Sequence, residues 1–523
     1  MFRIEVIDYT HVMIQSTFKT IVTLFLSLAI CGLCAHAGEV RYSDFGAKGD
    51  GKTDDFAALK KAHEHANDKG FSVRADDKAT YYIGGADGAI SIKTDTNFGS
   101  ASFIIDDTKV ENERSFVFEV QSAHKPINIQ NVRKLNKGDS RFHERLPRAS
   151  LVIATNDKIR RFIRRGGNQN SGKSQTDAFL VDKRGLIDPK TPIIWDFDHV
   201  SKAIAYPVDE DVLKIKGGKF TTIAHSQKSS KYFYRGISIT RSNVLVEGLQ
   251  HLVEGEGKDG PPYQGFMSIS KCANVVLRDI AISGRKFYSK IGTAGRKVSM
   301  GTYGISISNS VNISLIRCIQ SNDIMDKSLW GIMGTNYCKN ILLDGCELSR
   351  FDAHQGVTNV TIRNSTMGRM GILLTGFGDC LVENTTVKAA RFIYLRADYG
   401  STWNGDITIR NCRFVPQRRG NEVAIISGRN DGKHDFGYTT YLPQKVVIDQ
   451  LMIEDKKRGK GYKGPVIFGN INSSMKNKSY QPAYLQVLPM LVAHRGIKPA
   501  SGKPVKLSTN EFMFKDVKFI EGE

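Results

Sequence analysis

Arg350, Asp352 and His354 occupy alternate positions of Arg350-Phe351-Asp352-Ala353-His354. Side chains of an extended strand alternate between two faces, so this spacing brings a guanidinium, a carboxylate and an imidazole to one side. Such a trio can hold an anion and trade a proton with it, because imidazole has the ordinary pKa nearest neutrality. Asp352 would orient His354 and favour its cationic form; nearby arginines oppose that form, so a balance of charges sets the protonation state. Arg369 is expected beside Arg350, one repeat further on. Two guanidiniums about 5 Å apart repel by about 3 kcal/mol at an effective dielectric of about 20, a cost relieved by an anion between them.

Other groups flank the same face. Lys327 is a second candidate base and Tyr303 a candidate acid, while Arg396, Asp352, Lys286 and Tyr288 are candidate binding positions. Trp330 and Tyr399 offer rings for stacking, and His434 falls on an expected loop. Asp323, Asp326, Asp352 and Asp398 are oxygen donors for Ca²⁺, the alternative to arginine as the local positive charge. No compact calcium loop is present, so no metal or other cofactor is assigned.

A repeat must position these residues. Asn or Asp followed by an apolar alternation recurs at Asn243, Asn274, Asn312, Asn340, Asn359, Asp379 and Asp406, at intervals of 31, 38, 28, 19, 20 and 27. About twenty residues make one coil of a parallel β-helix, and longer intervals imply extruded loops. Asn suits the turn because it tolerates left-handed backbone and can hydrogen-bond along a stack. Gly304-Ile305, Gly331-Ile332 and Gly371-Ile372 mark another strand of each coil. A leucine-rich horseshoe would need a Leu-dominated consensus and a steadier period. The expected fold is all-β, a right-handed parallel β-helix with a short N-terminal capping helix. Residues 38–105 are expected to form the cap and first coils, 106–230 an inserted sheet-rich segment, and 231–523 the main solenoid.

The segment Asp44-Phe45-Gly46-Ala47-Lys48-Gly49-Asp50-Gly51-Lys52-Thr53-Asp54-Asp55 fits the phosphate-loop pattern from Gly46 to Thr53. Two carboxylates at the start of the following helix, where phosphate would have to sit, argue against that reading. The same segment resembles the opening of pectate-lyase-superfamily proteins, right-handed parallel β-helices that include polygalacturonases, polysaccharide lyases and phage tailspikes. The resemblance covers about a tenth of the chain and implies an N-terminal cap of that solenoid.

The net charge is +21. Lys19, the apolar run Ile21–Ile30 and the small-x-small Ala35-His36-Ala37 read as an export signal over residues 1–37, with Met13 an alternative start. That run is too short to span a membrane, and bulky Ile30 and Leu33 argue against a lipid anchor at Cys31 or Cys34. The segment carries two basic and two acidic residues, so the exported chain keeps its charge. An exported protein this basic is expected to meet a polyanion. Export and the lack of a recognised motif argue against nucleic acid and favour an anionic polysaccharide met outside the cell, in the periplasm or at the surface. The six cysteines after the signal have no zinc spacing and are expected to be free.

With that charge, the chain is also similar to the glycosaminoglycan lyases of polysaccharide lyase family 29. This implies β-elimination on a uronate polymer such as chondroitin sulfate, dermatan sulfate or hyaluronan. Arg350, Arg369 and Arg396 would neutralise the uronate carboxylate, His354 or Lys327 would take the C5 proton, and Tyr303 would protonate the leaving oxygen. Two alternatives remain: a polygalacturonase-like hydrolase, which needs two carboxylates on the cleft, and a non-catalytic polyanion-binding solenoid. The repeat region contains no Asp-Asp pair.

Overall fold

The computed structural model describes residues 38–522, apart from positions 332, 418, 419 and 457. The expected signal at 1–37 lies outside the described residues. Thirty-three strands stack in register as one parallel sheet system wound into a right-handed β-helix. Each coil contributes up to three short strands, and each strand pairs with its equivalent on the next coil. Ile305–Ser308, for example, pairs with both Met267–Ser270 and Met333–Asn336. Alternation fixes which side chains enter the core. Met267 and Ile269, Ile305 and Ile307, Phe351 and Ala353, and Ile372 and Leu374 all point inward and are buried.

The asparagines act as the repeat implies. Asn243, Asn274, Asn312, Asn340 and Asn359 all have φ between 56° and 59°. From Asn274 on, each side-chain amide donates to the preceding one, at 2.9, 3.0, 2.8 and 3.0 Å. A second ladder of Asn364, Asn384 and Asn411 lines another corner. All six described cysteines are free and buried.

The cap contains the helix Phe56–Lys69. Its preceding loop is no phosphate cradle, because the backbone amides of Lys48 and Gly49 donate to the carboxylate of Asp55 at 2.6 and 3.0 Å. The insertion is narrower than 106–230. Phe118–Val120 pairs with Ile90–Ile92 and Ile237–Ile239, and Leu213–Ile223 pairs with Thr96–Asp106 and Val244–Glu247, so both belong to coils. Between them lies a four-stranded antiparallel sheet of Ile127–Ile129, Ser150–Arg161, Lys173–Val181 and Lys202–Pro207. It has its own core around Phe142, Phe179 and Phe197.

Candidate functional site

The strand Glu347–Gln355 carries the centre. With Phe351 and Ala353 inside, Arg350, Asp352 and His354 face outward on one side. Gly334 faces Asp352 and Thr335 faces Ala353, but Asn336 faces Gln355. His354 is therefore the extra residue of a bulge, which re-aims its ring. Three glycines make room for the large groups of neighbouring coils. A β-carbon on Gly334 would collide with Tyr303, on Gly331 with Arg350, and on Gly301 with Trp330.

Asp352 is fully buried, and its Oδ2 accepts from Arg350 Nη2, from Tyr303 Oη at 2.5 Å and from Arg396 Nη1 at 2.6 Å. Arg396 turns its other edge to Asp398, at 3.1 and 2.8 Å. Arg164 reaches Asp398 at 2.8 Å from the inserted domain. Three guanidiniums against two carboxylates leave this chain, buried at Asp352 and half-buried at Asp398 and Arg164, one net positive charge. Burial opposes ionisation of Asp352, but Arg350 and Arg396 outweigh it and hold the carboxyl well below the usual range. The Arg350 guanidinium lies 5.0 Å from the Trp330 ring centre and 5.2 Å from that of Tyr303.

His354 Nδ1 is 2.9 Å from Asn336 Oδ1, and its Nε2 is 3.2 Å from the Tyr399 hydroxyl. With the Asn336 oxygen as acceptor, Nδ1 carries the proton and Nε2 accepts from Tyr399, whose oxygen in turn accepts from Gln355 Nε2 at 3.0 Å. Burial, reinforced by Arg396, lowers the His354 pKa to about 3 despite Asp352. The imidazole is neutral near pH 7.

A cleft of about 420 Å³ opens beside this cluster. Tyr394 lines it, in register with Asp352 through Leu373. Asp398 and Asp431 also line it, each tied to arginine; Arg165 holds Asp431 at 2.5 and 3.1 Å. Both carboxyls are held below their ordinary range, Asp398 by Arg396 against the effect of burial and Asp431 by its bond from Arg165. Arg296 and Arg429 line the cleft too, exposed and, among the described residues, without a side-chain partner. One wall is continuous because two tips join. Ala294 N donates to Gly167 O at 3.1 Å, and Thr293 Oγ1 donates to Gln169 O at 2.5 Å.

The fold thus gathers Arg350, Asp352, His354, Tyr303, Trp330, Arg396 and Tyr399. Tyr399 is 1% exposed, so it supports His354 and cannot stack on a ligand. Arg369 does not form an open pair with Arg350. Its guanidinium donates to the carbonyls of Asp326 and Leu329, at 3.1 and 2.8 Å, and staples that loop. Lys327 is exposed on the same loop, outside the cleft lining. Lys286 donates to Glu256 O at 3.0 Å, and Tyr288 packs against Gly260, both away from the cleft. His434 Nε2 lies 3.2 Å from Ile163 O.

The proposed calcium donors are committed elsewhere. Asp352 and Asp398 pair with arginine, while Asp323 and Asp326 accept backbone amides of their own loop, at 2.8 and 2.7 Å. Among the described residues no three His, Cys, Asp or Glu side chains are grouped to hold a metal. Sequence reading missed Arg164, Arg296, Asn336, Tyr394 and Arg429. Aligning coils on the Gly-Ile strand, rather than on the asparagine strand, places Tyr394 in the Asp352 column.

No family model matches the chain, and no curated protein is similar to it. Among solved structures it is similar to the tailspike protein gp49 from Pseudomonas phage LKA1, at 12% identity and a TM-score of 0.54 over 90% of this chain and 83% of that one. It is also similar to the tailspike gp61 of Pseudomonas phage phi297, at 13% and 0.55 over 92% and 83%. A third is the Gp54 tailspike of Acinetobacter baumannii bacteriophage AP22, solved in complex with A. baumannii capsular saccharide, at 9% and 0.50 over 90% and 77%. At these identities the likeness shows the fold alone, a tailspike-like parallel β-helix along nearly the whole described chain.

Proposed function

We propose that the chain is an exported polysaccharide lyase that cleaves a uronate polymer of the glycosaminoglycan class, chondroitin or dermatan sulfate or hyaluronan, by β-elimination. The observation that carries this reading is the unpaired Arg296 and Arg429 opening on a cleft beside a buried cluster that is itself net positive. The saccharide bound to the AP22 tailspike supports a sugar polymer as the ligand of such a surface. In the reaction, cationic groups neutralise the uronate carboxylate and acidify the C5 proton. A base removes that proton, the electrons form the C4–C5 double bond, the C4–O bond breaks and the leaving oxygen takes a proton. Neutral His354 is the base of this scheme, and its Nε2 takes the proton once the Tyr399 hydroxyl has released it. Tyr394, whose pKa burial raises, keeps its proton and serves as the acid. Tyr303 is held on Asp352.

Hydrolysis fits less well. It needs one carboxyl kept protonated near neutrality, and Asp398 and Asp431, the carboxyls lining the cleft, are both held ionised by arginine. One observation favours a second reading, a non-catalytic polyanion binder: both His354 nitrogens and the Tyr303 hydroxyl already have partners within the protein.

Absorbance near 232 nm during incubation with chondroitin sulfate, dermatan sulfate, hyaluronan, heparin, alginate or polygalacturonate, with EDTA or added Ca²⁺, tests the proposal. A rise on a glycosaminoglycan is the expected result. A flat trace with new reducing ends means hydrolysis, and a flat trace over intact polymer means a binder. On the cleaved polymer, His354→Ala and Arg429→Ala are each expected to lower turnover by about 100-fold or more. Near-wild-type rates would remove those residues from the mechanism.

A further inference from the structure

A second basic surface lies where the inserted sheet meets the solenoid. Two adjoining clefts, of about 360 and 340 Å³, share Tyr206 and Lys271 and so form one groove. Lys173 and Lys202 line one end and Lys125 the other, all exposed along with Lys271. No carboxylate lines either part. The Lys271 ammonium lies 6.0 Å from the Tyr206 ring centre, and none of the four lysines has an acidic partner among the described residues. On a chain with 53 acidic residues, four lysines facing a groove without one acid is a local excess of charge that a bound anion would relieve.

The floor of the groove points to the kind of anion. Tyr206, Asn309 and Tyr337 line it with Thr155 and Thr176, a polar and aromatic surface such as a sugar ring meets. Tyr206 adds a ring on which a pyranose can lie. The Tyr337 ring meets Phe162, and Phe162 meets Tyr399, so this plug of rings stands between the groove and the His354 cluster.

We propose that this groove is a separate binding site for an anionic polysaccharide, in which lysines take the sulfates or carboxylates while the Tyr206 ring carries a sugar face. The site does not depend on the cleft chemistry. It would anchor a polymer to the inserted domain while another stretch of chain occupies the cleft.

The test is titration of the full chain with dextran sulfate oligosaccharides, which carry no uronate and cannot undergo the elimination. Lys202→Ala with Lys271→Ala is expected to weaken binding at least tenfold. The control, Lys52→Ala with Lys61→Ala on the N-terminal cap, removes the same charge and is expected to change it less than twofold. Tyr206→Leu, which leaves the charge unaltered, is expected to weaken binding three- to fivefold. Equal losses in the lysine pair and its control, no loss in Tyr206→Leu, or no binding by the wild type would overturn the groove. An absorbance trace flat on every uronate polymer, with these binding losses intact, would retire the lyase reading and leave the groove standing.

Discussion

Asp352 shows what a single residue does here. It accepts from two buried guanidiniums and from the neutral phenol of Tyr303 with one oxygen, while its Oδ1 and the Arg350 Nε lack partners within the protein. Removing one member of a buried ion pair costs about 3–5 kcal/mol, because the charge left behind stays desolvated. Asp352→Asn should therefore lower unfolding stability by that order, read from the urea midpoint at unchanged slope. A loss under about 1 kcal/mol would mean that water already solvates the pair. The trio Arg350, Asp352 and His354 was legible from sequence because strand alternation is a local rule. The resting charge of His354 was not, since it depends on burial and on Arg396, which comes from another coil. Arg164 and Arg429 escaped for the same reason: they reach the site through loops whose paths no repeat dictates.

The asparagine ladder is the element that keeps the coils in register. Asn340 receives a bond from Asn359, donates to Asn312, and also donates to Lys190 O of the inserted domain at 2.9 Å, all at φ 57°. Asn340→Ala loses these bonds, each worth about 1 kcal/mol. It also keeps a β-carbon in left-handed backbone without the short polar side chain that lets Asn tolerate it, at a further cost of about 1 kcal/mol. Asn340→Gly loses the bonds and keeps the backbone at ease. Alanine should therefore be the more destabilising substitution, by about 1 kcal/mol in chemical unfolding. The reverse order would show that the turn does not need its left-handed conformation. This ladder made the fold readable between residues 243 and 406. The insertion boundaries were misplaced because the coil strands Phe118–Val120 and Leu213–Ile223 do not open with the ladder asparagine, so nothing local marks them as coils.

At the scale of the whole molecule, three histidines, one on the capping helix and two on coils, are held neutral mainly by burial. His63 and His354 have pKa values lowered to about 3, and His251 lies well below its ordinary value. Unfolding returns each to about 6.5, so between these values the unfolded chain binds protons that the folded one refuses. Their stabilising effect is complete above about pH 6.5 and is lost as pH falls toward the folded values. Each contributes up to about 1.4 kcal/mol per pH unit, and the three together about 4. Buried Asp107, whose carboxyl burial raises despite Arg235, works in the opposite direction, but it is one group against three. Carboxylates lowered by arginine, such as Asp352 and Asp398, add their own acid sensitivity only near and below about pH 4. The window from pH 6.5 to 4.5 therefore belongs to the histidines. Thermal unfolding followed by circular dichroism across it should show a steadily falling Tm, and His63→Asn should flatten the slope by about a third of the part these three contribute. A Tm independent of pH in that window would mean that these imidazoles take up protons in the folded state. Neutral His354, the base of the proposed elimination, would then fall with that result.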